Sequence, residues 1–179
     1  MRVAIFGGSF DPPHIAHENI IKKALKELNI KMLFVVPTFL NPFKNNSFAP
    51  ATQRYKWVKK LLQRYKKAQI INFELKQKRP TPTIESIKYI KNRYHVKKIY
   101  LIIGADNLKN LHKWQDYQKL KKMVEFVIIT RDNIKVPKHL KKIVINDNIS
   151  STNLRDNLKY RYLPKTIANE VMNFYGSKN

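Results

Sequence analysis

Six short runs of apolar, mostly β-branched residues recur along the chain. They are Arg2–Phe6, Lys31–Val36, Gln69–Phe73, Lys98–Ile103, Val124–Thr130 and Lys142–Ile145. Near-continuous apolarity over so short a length is how a strand buried on both faces reads. Amphipathic stretches lie between the runs. Ile20, Ile21, Ala24, Leu25 and Leu28 make one apolar stripe, Trp57, Val58, Leu61 and Leu62 a second, and Ile84, Ile87 and Ile90 a third, with lysines on the other faces. Strands alternating with helices predict an α/β chain, a doubly wound parallel sheet with helices on both sides. The ligand site of such a sheet lies at the carboxyl ends of its strands. The stretch from Ser151 to Tyr175 reads as two short helices broken near Pro164. The 179 residues are expected to form one domain, 1–179, whose part 151–179 is a small helical C-terminal subdomain.

Composition narrows the function. The chain has no cysteine, which excludes a disulfide scaffold, a thiolate metal site and a cysteine nucleophile. It has no apolar run of about 18 residues, so no membrane span is expected. The apolar start Met1–Phe6 meets Gly7 and Gly8 at once, too soon for a signal peptide, so a cytoplasmic location is expected. The net charge of +24 invites an anionic partner: nucleic acid, a membrane surface or a phosphorylated metabolite. However, 28 of the 36 basic residues are lysines, spread over nearly the whole length beside 20 isoleucines and 17 asparagines. A/T-rich codons produce that bias without selection for binding. The charge helps an anion arrive without saying which one.

Three of the four glycines stand at the ends of predicted strands: Gly7 and Gly8 after the first, Gly104 after the fourth. One glycine there would be ordinary turn chemistry. The first pair opens a more specific segment: Gly7-Gly8-Ser9-Phe10-Asp11-Pro12-Pro13-His14-Ile15-Ala16-His17. Asp11 can cap the coming helix, and the prolines suit its first turn. His14 and His17 are three apart and share one face of the helix start, where N–H groups and the positive dipole end also point. Two imidazoles and a helix N-terminus suit a phosphoryl group gaining charge in a transition state. The spacing is not that of the helical zinc motif, and neither a dinucleotide fingerprint nor a P-loop is present. No protein metal ligand is assigned.

This segment resembles the signature of the HIGH-motif nucleotidyltransferase superfamily, and within it the bacterial nicotinate-nucleotide adenylyltransferases. Ala16 departs from the pattern, which usually has Gly there. Pro37-Thr38-Phe39-Leu40-Asn41-Pro42-Phe43-Lys44 is similar to a loop ending Pro-Pro-His-Lys. Lys44 matches the phosphate-contacting lysine, and Phe43 replaces the His. Arg79-Pro80-Thr81-Pro82-Thr83-Ile84-Glu85-Ser86-Ile87 is similar to a segment with an aromatic-Thr-x-x-Thr-Leu pattern, where Pro82 replaces the aromatic and Thr83 keeps its place. Gly104-Ala105-Asp106, followed by Trp114, matches the Gly-x-Asp and downstream Trp. Alone, Asp106 could be a helix cap and Trp114 a core aromatic. Ile149-Ser150-Ser151-Thr152-Asn153-Leu154-Arg155 matches the Ile-Ser-Ser-Thr-x-Ile/Val-Arg motif, whose Ser150 or Ser151 can cap a helix.

The resemblance implies a Rossmann-like fold and transfer of the adenylyl group of ATP to nicotinate mononucleotide. The mononucleotide phosphate would attack the α-phosphorus in line, with no covalent enzyme intermediate. It implies His14, His17, Lys44 and Arg155 as catalytic residues. Gly7, Gly8, Ser9, Phe10, His17, Gly104, Asp106, Ser151, Thr152 and Arg155 would hold ATP. Lys44, Thr83 and Trp114 would hold nicotinate mononucleotide. Mg²⁺ would arrive on ATP oxygens. The expected partners are these two small molecules, with no nucleic acid and no membrane, and a homo-oligomer is left open. Two alternatives stand at this point. One is an adenylyltransferase of the same fold acting on nicotinamide mononucleotide or phosphopantetheine. The other is a basic nucleic-acid-binding protein that has kept the fold, which a steep salt dependence would reveal.

Overall fold

A computed structural model describes residues 1–43, 45–130, 135–147 and 149–176. In chain order the elements begin β1 (Arg2–Gly8), α1 (Ile15–Glu27), β2 (Met32–Pro37), α2 (Ala51–Leu62), β3 (Ala68–Ile70), α3 (Phe73–Gln77) and α4 (Thr83–Arg93). Then come β4 (Lys98–Gly104), a 3-10 segment (Ala105–Lys113), α5 (Tyr117–Met123), β5 (Glu125–Thr130) and β6 (Lys141–Val144). The chain continues through α6 (Ser151–Asp156), a short 3-10 turn (Tyr160–Tyr162) and α7 (Ala168–Gly176). The six strands form one sheet in the order β3-β2-β1-β4-β5-β6, and every neighbouring pair is parallel. This is the doubly wound order, and the direction of winding reverses between β1 and β4.

Period-two alternation sorts the strand residues onto two faces. Ala4, Phe6, Leu33, Val35, Tyr100, Ile102 and Val127 face one core, closed by Ile20, Ile21 and Ala24 of α1 and Val58 and Leu61 of α2. Val3, Ile5, Phe34, Val36, Leu101, Ile103 and Ile128 face the other, closed by Ile84, Ile87 and Ile90 of α4 and Leu120 of α5. These are the stripes expected of the sequence. A third cluster gathers Ala49 and Trp57 with Leu154, Leu163, Ile167 and Val171, fixing the C-terminal helices against α2.

Four details differ from expectation. The third apolar run splits: the strand stops at Ile70, and Phe73 begins α3. The 3-10 segment and α5 were not among the expected helices, and each lays a short apolar row on the second core: Ala105, Leu108 and Leu111, then Tyr117, Leu120 and Met123. The break in the C-terminal part is wide, with the 3-10 turn lying between α6 and α7. Finally, Gly7, Gly8 and Gly104 belong to their strands, and no glycine has positive φ. The left-handed turn after β1 is made by Phe10, at φ 50°.

Candidate active site

At the point where the winding reverses, the ends of β1 and β4 open onto a cavity of about 650 Å³. Gly7, Gly8, Thr83, Gly104, Asp106 and Trp114 line it, as do Thr38, Phe43, Glu74, Ser86 and Lys113. Six of the expected ligand residues, from four separate segments, therefore share one cavity. At two of the glycines a side chain would crowd a neighbour. A Cβ on Gly104 would collide with the Asp106 carboxylate, and one on Gly8 would come within 3.2 Å of the Phe10 ring. Lys44 lies outside the described residues. Phe43, just before it, is 66% exposed at the cavity edge.

From Gly8 the chain runs into the second half of the site. The N-cap of α1 is His14, and the first helical bond runs from Glu18 N–H to the His14 carbonyl at 3.2 Å. The N–H groups of the first turn precede that bond. His14 and His17 stack with ring centroids 3.7 Å apart, and His17 Nδ1 accepts the His14 backbone N–H at 3.2 Å. That bond makes Nε2 the ring nitrogen of His17 that carries the proton. The Phe10 ring is 1% exposed, lies 4.8 Å from the His17 ring and packs edge-on to Phe6. Phe10 thus supports the imidazole from beneath, and only its backbone is placed to meet a ligand. Ala16 is 1% exposed and packs into the core, so alanine is accommodated at this position.

Asp11 does not cap α1. Its carboxylate is buried and accepts the N–H groups of Phe48 at 2.7 Å and Ala49 at 3.0 Å and the Tyr175 hydroxyl at 2.5 Å. It clamps the loop after β2 and the last helix to the loop after β1. Burial and the bond to Asp11 push the Tyr175 phenol well above its ordinary value, so the phenol stays a donor. Arg54 has the same function from the other side. Wholly buried, it donates from Nε to the Ala49 carbonyl at 3.0 Å, from Nη1 to Ser9 at 2.5 Å and from Nη2 to Phe39 at 2.7 Å. Burial lowers its pKa, and the neighbouring Asp11 opposes that shift. Neither role was evident from the sequence. The one available sign of Arg54 was a cation on the apolar stripe of α2, one turn before Trp57 and Val58.

The C-terminal motif is carried onto this loop. Ser150 is the N-cap of α6 and accepts the Asn153 N–H at 3.2 Å, which settles which serine caps. Ser151 donates instead to the Pro12 carbonyl at 3.1 Å. Arg155 donates to the Asp11 carbonyl at 2.5 Å and to Thr152 Oγ1 at 3.3 Å, and lies 4.1 Å over the Phe48 ring. Residues more than 130 positions apart thus form one polar surface with the histidine pair. Such an array of imidazoles, guanidinium and first-turn N–H groups suits a polyphosphate.

Glu74 was also missed. It is 5% exposed and accepts the Ser86 hydroxyl at 2.7 Å through Oε1. Its Oε2 is buried with no hydrogen-bond partner among the described residues. Burial raises its pKa to about 7, the Ser86 bond working against that and the Glu85 charge adding to it. No group of three or more His, Cys, Asp or Glu side chains that could hold a metal occurs among the described residues.

Residues 5–157 match the cytidylyltransferase-like family model. The chain is 48% identical over 177 residues to a Nitratiruptor protein named "probable nicotinate-nucleotide adenylyltransferase", covering 99% of this chain and all of that one. A Campylobacter jejuni protein of the same name is 46% identical, with 98% and 97% covered. Among solved structures, the nicotinic acid mononucleotide adenylyltransferase of Plasmodium falciparum, complexed with NaAD, superposes with a TM-score of 0.76. That match covers 98% of this chain and 96% of the other at 24% identity, which speaks to the fold. With a sheet wound in this order, a histidine pair at the start of α1 and full-length relatives at this level of identity, the chain belongs to the nicotinate-nucleotide adenylyltransferase family of cytidylyltransferase-like nucleotidyltransferases.

Proposed function

We propose that the chain transfers the adenylyl group of ATP to nicotinate mononucleotide, giving nicotinate adenine dinucleotide and pyrophosphate. The observation that carries this reading is the stacked His14–His17 pair at the start of α1, joined through Gly8 to a cavity lined by Thr83 and Trp114. The names of the full-length relatives support it. Catalysis is positioning and charge stabilisation. His17 Nε2 and the first-turn N–H groups of α1 meet the α-phosphate as charge develops, and His14 fixes the plane of the stacked pair. Arg155 and Lys44 neutralise the phosphates on either side. Thr152 assists through its hydroxyl. Ser9 and Ser151 shape the same loop through their bonds to Arg54 and Pro12. Gly7, Gly8 and Gly104 let the nucleotide approach the backbone, and Asp106 accepts from ribose hydroxyls. Trp114 offers a flat face to the pyridine and Thr83 a backbone donor.

Magnesium held by substrate phosphates and water fits this donor set better than a protein cage does, since the cavity offers the exposed Asp106 carboxylate rather than a ligand cluster. Bound on ATP, it supplies neutralisation of the polyphosphate charge. The partners are two small molecules rather than nucleic acid, and the cytoplasm is their expected place. No helix among the described residues is long and apolar enough to cross a membrane. A pyrophosphate-release assay with ATP, magnesium and each of nicotinate mononucleotide, nicotinamide mononucleotide and phosphopantetheine tests the reading. Release only with the first, or far faster with it, is expected. Release with phosphopantetheine alone would overturn the acceptor, and release with none would overturn the reaction.

A further inference from the structure

A pocket that receives a carboxylate should be lined by donors, yet Glu74 brings a second carboxyl group to this one. Among the described residues its surroundings do not provide a counter-ion. The β2 strand packed on α3 carries no ionisable side chain. From α4 comes Glu85, a like charge, itself paired with Arg79 at 2.7 Å. Lys113 lines the same cavity without an ion pair to Glu74, and the exposed Asp106 carboxylate adds a further like charge to its lining. Ser86 holds Oε1 by its hydroxyl, and Oε2 is left buried and unpartnered among the described residues. An ionised carboxylate in that place has a desolvated charge and one acceptor oxygen without a donor, whereas the neutral acid carries no charge there and its O–H can donate to a ligand.

We propose that Glu74 is a specificity-determining residue of the acceptor site: as a neutral acid it admits a pyridine carboxylate, and as a carboxylate it turns the site towards the carboxamide. The proposal rests on the acceptor reading above and deepens it. Two negative carboxylates in one half-enclosed cavity disfavour each other by about tenfold or more. An ionised Glu74 can instead accept from an amide NH₂, which the acid form lacks. Burial places the change of state near neutrality, at about 7. Above that pH, binding the acid acceptor draws one proton from solvent onto Glu74, and binding the amide does not. The two acceptors carry the same phosphate, so its own titration cancels in their ratio. A purely structural Glu74–Ser86 tie between α3 and α4 would move both acceptors alike.

The test is kcat/KM for both mononucleotides between about pH 6 and pH 9, with wild type and Glu74→Gln. The acid-to-amide ratio of the wild type should fall about tenfold across that range, and that of Glu74→Gln should stay flat. Titration calorimetry on the wild type needs no variant. With a non-reactive ATP analogue present, at about pH 8 and in buffers of different ionisation enthalpy, the acid acceptor should take up more than about half a proton beyond the amide. A flat wild-type ratio, equal proton uptake by the two acceptors or a variant that keeps the wild-type pH dependence overturns the proposal and leaves adenylyl transfer to nicotinate mononucleotide standing. Turnover of neither mononucleotide overturns both.

Discussion

Around the start of α1, four polar side chains are tied to backbone groups within the protein, whereas in the cavity at the ends of β1 and β4 two buried polar atoms are not. Asp11, Arg54, Ser151 and Arg155 bind backbone groups of the loops after β1 and β2, at distances from 2.5 to 3.1 Å. In the cavity, Thr38 Oγ1 and Glu74 Oε2 are buried without hydrogen-bond partners among the described residues. The contrast separates two tasks. A group that must meet charge in a transition state gains from being held still, because it then needs no reorganisation during reaction. A group that must tell two ligands apart gains from being desolvated and unpaired, because a wrong partner then costs the most.

Breaking the tied region should have the largest effect. Arg54→Met removes a buried cation that donates to three carbonyls from two loops, and loss of one member of such a buried network costs about 3–5 kcal/mol. Chemical denaturation should show this loss, with turnover falling even where the fold persists. Unchanged stability would mean that the loops are held by apolar packing alone. Next comes His17→Ala, for which kcat should fall about 10²–10³-fold with little change in melting temperature, and His14→Ala should behave alike. Near-normal turnover would remove the histidines from the chemistry. A variant that unfolds would make them structural.

The unpaired region predicts an effect of similar size but different form. Glu74 ionises near 4.5 in an unfolded chain and at about 7 in the fold. Its folded-state pKa is raised, so its contribution is fully present below about pH 4.5 and lost as pH rises through about 7. The displacement corresponds to about 3 kcal/mol. Glu74→Gln, which does not titrate, should gain stability relative to wild type over that window, and parallel stability–pH curves would show that the carboxyl is not desolvated. The smallest effect is expected from Trp114→Ala. Loss of the stacking face should raise KM for the pyridine mononucleotide several-fold, about 1 kcal/mol, and that for ATP less. Equal weakening of both would make Trp114 a core residue.

The two regions also differ in how far they were legible in the sequence. The sheet was readable because strands covered on both faces are continuous apolar runs, and α1, α2 and α4 because each buries a full stripe. The Phe73–Gln77 helix was not, since Ile70, Ile71 and Phe73 merge into one apolar run. The histidine pair and the Ser150 cap are local patterns. Arg54, Asp11 and Glu74 take their meaning from partners elsewhere in the chain: Ser9 is 45 residues from Arg54, Tyr175 is 164 from Asp11, and Ser86 is 12 from Glu74 across an intervening turn. Burial decided their roles, and no local spacing encodes it.

The central claim is that a shaped acceptor end, fed by a fixed phosphate-handling loop, selects the acid mononucleotide. The most direct measurement is a competition. Equal amounts of nicotinate and nicotinamide mononucleotide are supplied with limiting ATP and magnesium at neutral pH, and the two dinucleotide products are separated and counted. Their ratio is the ratio of kcat/KM. We predict at least about tenfold more of the acid product, little changed when salt is raised to about 0.5 M, where distant charges are screened. Equal amounts of the two products, or an excess of the acid product that disappears in salt, would contradict the account.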